Sequence, residues 1–155
     1  MEKIVGSLVE ISYHTFDNVY DLLFTTERVI ACNIQHPGDT SYRFTSMLKD
    51  AFLGRMLTKR MEQSERAKTI QARRHSLQEK PINELVALHP SNFEIRYREV
   101  TSVEITRGLL QSQLRFEVPK LPPTRQIISF TLSKEQIPDA QRLLELVLAP
   151  KIKGK

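Results

Sequence analysis

The first 34 residues contain two runs that alternate between apolar and polar residues and one apolar, β-branched run, which together predict three antiparallel strands. Between Lys3 and Tyr13, Val5, Val9 and Ile11 alternate with mostly polar or small neighbours, as in a half-buried strand. The same period returns at 16–24, and a β-branched apolar run follows at 28–34. Only a short connection at Thr26-Glu27 separates the last two runs, so we expect a tight hairpin.

After the loop signal at 36–39, the apolar period changes to three and four residues, which predicts an amphipathic helix from about residue 45. Its apolar positions are Met47, Leu48, Ala51, Phe52, Met56, Leu57 and Met61. The apolar face fades over 62–74, which leaves two interpretations open: a solvated helical extension or a frayed linker. A shorter helix is predicted for 81–88, with Pro81 in its first turn.

Four further strand signals follow, at 93–97, 103–105, 114–118 and 128–132, and give seven strands in total. Ser133 and Gln136 have the spacing of a capping box. Because proline disrupts a helix beyond its first turn, we expect the regular helix to begin near Pro138. The apolar stripe of this last helix comprises Ile137, Ala140, Leu144, Val147 and Leu148. The predicted fold class is α+β, mainly β: a seven-stranded antiparallel sandwich or barrel capped by a C-terminal helix, with a helical insertion between strands 3 and 4.

Length and charge add a single-domain prediction and locate the positive charge. A chain of 155 residues fits one domain, 1–155, with the helical insertion at about 44–90. The net charge is +5, yet residues 43–80 contain ten Lys or Arg against four acids. Attraction to an anionic partner should therefore arise from this segment and from the lysines of the C-terminal tail.

The start of the chain lacks the pattern of a signal peptide, and no apolar run approaches the roughly 18 residues that a membrane-spanning helix needs. The single cysteine, Cys32, lies in an apolar run and is expected to behave as a small hydrophobic residue. Together these features predict a cytoplasmic protein.

The residues that usually carry chemistry do not form a recognisable catalytic or metal-binding pattern. The histidines at 14, 36, 75 and 89 lack paired spacing, and the five glycines form no phosphate-binding or nucleophile-elbow motif. The acid pairs Asp17 with Asp21 and Glu99 with Glu104 are expected to be solubilising charges at strand edges. We therefore predict no enzyme and no catalytic, cofactor-binding or metal-binding residue.

Three segments resemble the GRAM-type, or prokaryotic pleckstrin-homology-like (PH-like), domain: residues 22–30 (LLFTTERVI), 95–103 (IRYREVTSV) and 130–136 (FTLSKEQ). The resemblance implies a PH-like scaffold that binds lipid headgroups, peptides or sister subunits without chemistry of its own. Lipid recognition in that family relies on Lys and Arg in the first hairpin loop, and 12–17 contains neither. Phosphoinositide is therefore not an expected ligand. In the hairpin motif, Thr25, Thr26 and Arg28 are expected to be turn residues and an outward charge that fixes strand register.

Two functions from different classes follow from these observations. The first is a non-enzymatic PH-like binding or adaptor module that contacts a protein partner or its own copies through the helical insertion. The alternative is a binder of an anionic membrane surface or nucleic acid through the basic residues at 55–74. The candidate anionic-partner contacts are Lys59, Arg60, Arg66, Lys68, Arg73 and Arg74.

Overall fold

The structure is a computed structural model that describes residues 1–36, 66–119 and 125–154. Its strands are β1 (Ile4–Tyr13), β2 (Thr15–Thr25), β3 (Arg28–Gln35), β4 (Phe93–Arg96), β5 (Ser102–Arg107), β6 (Ser112–Pro119) and β7 (Arg125–Leu132). Its α-helices are α1, described over 66–78, and α2 (Ile137–Leu148). Short 3₁₀ helices span Ile82–Leu88, Tyr97–Glu99, Lys134–Gln136 and Ala149–Lys151.

All seven predicted strands are confirmed, and the two-residue turn between β2 and β3 is present. The helix predicted for 81–88 is a 3₁₀ helix. The sequence left open whether 62–74 is a helical extension or a frayed linker. Residues 66–78 are helical, so the helical interpretation holds for 66–74. The amphipathic helix predicted from residue 45 lies outside the described residues, as do Lys59 and Arg60.

The strands form one antiparallel sheet in the order β4-β3-β2-β1-β7-β6-β5. Each strand pairs with its neighbour along the chain except at β4–β5, and Ser12 and Tyr13 of β1 join the two halves by pairing with β7. Side chains of β2 and β3 share one buried cluster with those of β5, β6 and β7. The sheet therefore curls around a single interior, which α2 covers with its predicted apolar stripe.

A bulge in β1 explains how this strand connects to its surroundings. The register with β2 shifts between Leu8 and Ile11, and Glu10 adopts a left-handed φ of 57°. The backbone groups freed by the bulge bond to side chains: Gln136 Nε2 donates to the Val9 carbonyl at 2.7 Å, and the Glu10 N–H donates to Asp21 Oδ1 at 2.9 Å. The bulge thus links β1 both to β2 and to the segment before α2.

The start of α2 confirms the predicted capping box. The Ser133 N–H donates to Gln136 Oε1 at 2.9 Å, within a 3₁₀ turn that precedes the helix. Because α2 begins at Ile137, Pro138 lies in its first turn, where its missing N–H costs no helical hydrogen bond. No helix within the described residues combines the length and hydropathy required to cross a bilayer.

Strand β3 is buried on both faces, which accounts for its continuous apolar sequence. Val29 and Ala31 belong to the main core, whereas Ile30 and Cys32 form a second, smaller cluster with Leu85. Leu77 of α1 is partly buried against this second cluster. The described part of the segment between β3 and β4 therefore covers the outer face of the sheet at β3.

Candidate functional site

Helix α1 is attached to the sheet by its arginines. Arg66 Nε donates to Gln35 Oε1 at 2.7 Å, and Arg73 Nη1 donates to Asn33 Oδ1 at 3.0 Å. Both acceptors lie at the end of β3 and are buried. We call the arginine junction the set formed by Asp21, Asn33, Gln35, Arg66, Arg73 and Arg74.

The strongest contact of the arginine junction is the ion pair between Arg74 and Asp21. Arg74 Nε lies 2.6 Å from Asp21 Oδ2 and Nη2 lies 2.9 Å from Oδ1, and the Asp21 side chain is only 8% exposed. Glu10 Oε1 lies 3.7 Å from the same guanidinium. Hydrogen bonding to Asp21 raises the pKa of Arg74 against the opposing effect of burial. The prediction that Asp21 is a solubilising edge charge is therefore wrong, because this carboxylate is buried and bonded on both oxygens.

Three of the six candidate anionic-partner contacts, Arg66, Arg73 and Arg74, thus donate hydrogen bonds to polar side chains of the sheet. Lys68 lies on the same helix and is exposed. Lys59 and Arg60 are outside the described residues, so the structure brings together only part of the predicted set.

A cleft of about 350 Å³ lies between α1 and the sheet. Gln35, Arg66, Ile70 and Arg74 are among its lining residues. The Gln35 amide is buried, its oxygen accepts from Arg66, and its Nε2 has no hydrogen-bond partner within the described parts of the chain. Its described lining combines hydrogen-bond donors with the Glu10 carboxylate and includes no histidine, cysteine or hydroxyl side chain.

The second polar cluster surrounds the β2–β3 turn and explains the Thr-x-x-Arg motif. The buried Thr25 Oγ1 accepts from the N–H groups of Glu27 and Arg28, at 3.1 and 3.0 Å. Arg28 Nε and Nη2 each lie 2.9 Å from a Glu2 oxygen, and Nη1 donates to Glu94. Arg28 therefore connects the N-terminal segment, β3 and β4. Because its side chain is only 15% exposed, the prediction of an outward charge is wrong, and its role in strand register stays a prediction.

The charges of this cluster stabilise one another. The hydrogen bond from Arg28 lowers the pKa of Glu2, and both carboxylates that Arg28 contacts raise the pKa of its guanidinium. Burial opposes ionisation of Glu94, but hydrogen bonds from Arg28 and Arg96 outweigh it and lower the pKa. A neighbouring cleft of about 450 Å³ is lined by both acids and arginines, including Arg98. Its mixed lining does not select for one sign of charge.

The remaining titratable residues show no catalytic arrangement within the described residues. His14, His36 and His75 are exposed, while His89 Nδ1 accepts from the Ser91 N–H at 3.1 Å. No group of three potential metal ligands occurs in the described parts of the chain. Whether this protein is an enzyme is untested by these facts, so its classification as a non-enzyme stays a prediction.

The thiol of Cys32 is fully buried, as its apolar surroundings predicted. Burial, together with the negative charge of Asp21, raises its pKa to about 12. A thiol with this pKa carries almost no thiolate near neutral pH and is a poor nucleophile. Cys32 therefore belongs to the packing of the outer cluster.

No family model, curated protein or solved structure matches this chain. The candidate site must therefore be interpreted from its own chemistry. Sequence reasoning missed Asp21, Asn33 and Gln35, although β3 carried a usable signal. A strand that is apolar on both faces requires a cover on its outer side, and polar residues at its buried end require partners from that cover.

Proposed function

We propose that this chain is a non-enzymatic binding or adaptor module of the PH-like type, which associates with a protein partner or with its own copies through the segment between β3 and β4. The seven-stranded antiparallel sheet with its C-terminal helix supports this proposal, since the GRAM-type resemblance implies the same element order. A curled sheet held by one interior provides a rigid platform on which loops and added helices can carry binding.

The observation that carries the proposal is the arginine junction. Arg66, Arg73 and Arg74 bond to the sheet, so the described part of α1 has a defined position and presents a fixed outer surface. Lys68, Gln71 and His75 are exposed at helical spacing on that surface. A fixed surface of mixed polar side chains suits the rim of a protein interface.

The same junction makes the alternative less favourable. An electrostatic footprint for nucleic acid or an anionic membrane requires cations that can contact phosphates. Arg74 is already neutralised by Asp21, and Arg66 and Arg73 donate to buried amide oxygens. The positive charge that the sequence places in 66–74 is thus partly used inside the molecule.

Static light scattering over a range of concentrations tests the self-association arm. We expect the full chain to exceed the mass of one chain. The double variant Lys68→Glu, Gln71→Glu on the exposed face of α1 should return it to that mass. Lys134→Glu is the matched control, because Lys134 is exposed at the start of the 3₁₀ turn before α2.

A full chain that remains monomeric at every concentration would remove self-association. Steeply salt-dependent binding to acidic vesicles or nucleic acid, lost in Lys68→Glu, would support the alternative instead.

A further inference from the structure

The side chain of Glu2 is held by two groups of the β2–β3 turn in the way that a protein holds a carboxylate ligand. Arg28 donates to both of its oxygens, from Nε to Oε1 and from Nη2 to Oε2, each at 2.9 Å. This is the bidentate geometry by which arginine recognises carboxylates. Thr25, which is fully buried, places its hydroxyl 2.6 Å from Glu2 Oε1. Each carboxylate oxygen therefore has at least one donor.

The groups that hold Glu2 are themselves fixed by the sheet. Thr25 Oγ1 accepts the N–H groups of Glu27 and Arg28, so the turn sets the position of the hydroxyl. Arg28 also donates from Nη1 to Glu94 of β4. These contacts do not involve Glu2, and they would remain if it left. Thr25 and Arg28 thus form a preformed site, which we call the carboxylate site.

The segment that supplies Glu2 is weakly attached to the domain. Ile4 and Val5, the first residues of β1, are 52% and 38% exposed, so the segment buries little apolar surface. Lys3 makes two hydrogen bonds with Thr26, at 3.2 and 2.9 Å. Segments with few buried apolar contacts open locally at a lower free energy than the core of a domain. Glu2 can therefore leave the carboxylate site while the domain stays folded.

The cleft of about 450 Å³ beside the carboxylate site gains a net positive charge when Glu2 leaves. Arg96 lies directly opposite Arg28 in the β3–β4 ladder and is 45% exposed, and Arg98 is 74% exposed. With Glu2 present, three arginines and two glutamates line the cleft. Without it, Glu27 is the one acid among the described residues of the lining.

The charge around the emptied site matches a single carboxylate. Glu94 contacts both Arg28 and Arg96, and together with Glu27 it offsets two of the three arginines. One positive charge is left in excess. A carboxylate balances this charge, whereas a phosphate group, with a charge of about −2 at neutral pH, would exceed it.

We propose that Thr25 and Arg28 form a binding site for a carboxylate ligand, that the neighbouring cleft accommodates the rest of the ligand, and that Glu2 is an intramolecular occupant which the ligand displaces. The ligand takes over the hydrogen bonds that Thr25 and Arg28 donate to Glu2. Its carboxylate belongs either to a small organic acid or to a side chain of a protein partner. The site lies at the opposite end of β3 from the arginine junction, so it goes beyond the function proposed for α1.

Chemical rescue tests the carboxylate site in the variant Glu2→Ala, which empties it. We expect acetate at about ten times its dissociation constant to raise the Tm of this variant by about 4 °C. Acetamide, which lacks the charge, and sodium chloride at the same concentration should not. Glu27→Ala is the matched control, because it removes the same charge from the same cleft but leaves Glu2 in place. Its Tm should rise by no more than about 1 °C.

A second substitution identifies the group that binds the carboxylate. Adding Arg28→Met to the Glu2→Ala chain should abolish the response to acetate. Arg28→Lys keeps the charge but loses the bidentate geometry, and it should weaken the response if Arg28→Met fails to fold. A folded Glu2→Ala variant that acetate does not stabilise would overturn the proposal. An equal response in the Arg28→Met double variant would also overturn it.

Isothermal titration calorimetry tests displacement in the unmodified chain and separates the two sources of the carboxylate. The probes are butyrate and the peptide acetyl-Gly-Glu-Gly-amide. We expect the unmodified chain to bind the better probe about ten- to a hundredfold more weakly than Glu2→Ala does, because Glu2 must first leave the site. Tighter binding of the peptide indicates a protein partner, and tighter binding of butyrate indicates a small acid. An unmodified chain that binds neither probe at about a hundred times the dissociation constant of the variant would overturn the proposal.

Discussion

Replacing Asp21 by asparagine removes the charge at the centre of the arginine junction while keeping the size of the side chain. Asp21 accepts three N–H groups: two from Arg74, at 2.6 and 2.9 Å, and one from the Glu10 backbone at 2.9 Å. An asparagine retains one acceptor oxygen and turns an amide N–H₂ toward other donors. In the variant, the two Arg74 N–H groups and the Glu10 N–H therefore lose their hydrogen bonds to a charged carboxylate.

The magnitude follows from the burial of the pair. Hydrogen bonds to charged groups contribute about 1.5–3 kcal/mol each, and breaking a buried ion pair costs about 3–5 kcal/mol. Because the Arg74 side chain is 24% exposed, water can partly replace its lost partner. We expect a loss of about 3 kcal/mol in the free energy of unfolding, which corresponds to a fall of about 9 °C in Tm for a domain of this size.

Urea unfolding followed by far-ultraviolet circular dichroism measures this change, since the chain contains no tryptophan for fluorescence. Glu99→Gln is the control, because the Glu99 and Arg98 side chains are exposed and Arg98 Nε lies 3.9 Å from Glu99 Oε1. We expect this control to change the free energy by less than about 0.5 kcal/mol. A double-mutant cycle with Arg74→Gln should show a coupling of at least about 1 kcal/mol. An Asp21→Asn variant as stable as the control, or additive effects in the cycle, would refute the assigned role.

Three further predictions concern other parts of the molecule. Arg28 lowers the pKa of Glu2, so the stabilisation from this pair is complete above pH about 4.5 and is lost as the pH falls through the lowered folded-state pKa. Arg28→Met should therefore flatten the acid limb of a curve of unfolding free energy against pH. Gly6→Val should cost about 2 kcal/mol in chemical unfolding, because a Cβ there would lie 2.6 Å from Leu143 Cδ2, and Leu143→Ala should recover part of the loss. The Cys32 thiol, buried and with its pKa raised to about 12, should react with a disulfide reagent at pH 8 only at the rate of unfolding, and fast labelling of the native protein would contradict its placement.

Local patterns in the sequence predicted the strands because each one depends on residues close together in the chain. The alternation in β1 and β2, the two-residue turn before Arg28 and the capping box at Ser133 all concern neighbours within a few positions. The same reasoning predicted the buried stripe of α2. Side-chain period and capping chemistry are local properties, and a single sequence displays them directly.

The polar partners were not predictable in this way. Arg74 is 53 residues away from Asp21, and their contact depends on where α1 lies on the outer face of the sheet. The bulge at Glu10 adds a second requirement, because the backbone N–H that it frees must find an acceptor. Neither fact leaves a periodic trace in the sequence, so Asp21 resembled an ordinary charge at a strand edge.

This difference changes how the basic segment should be interpreted. Charge counted along the sequence treats every Arg and Lys of 66–74 as available to a partner, whereas the structure assigns three arginines to internal bonds and leaves Lys68 on the surface. Long-range attraction depends on net charge, and the negative charge of Asp21 cancels that of Arg74 in this region. Binding that depends on the insertion should consequently respond more to the shape and polarity of the exposed face of α1 than to salt. Comparing Lys68→Glu with the uncharged Gln71→Ala at two salt concentrations separates these contributions.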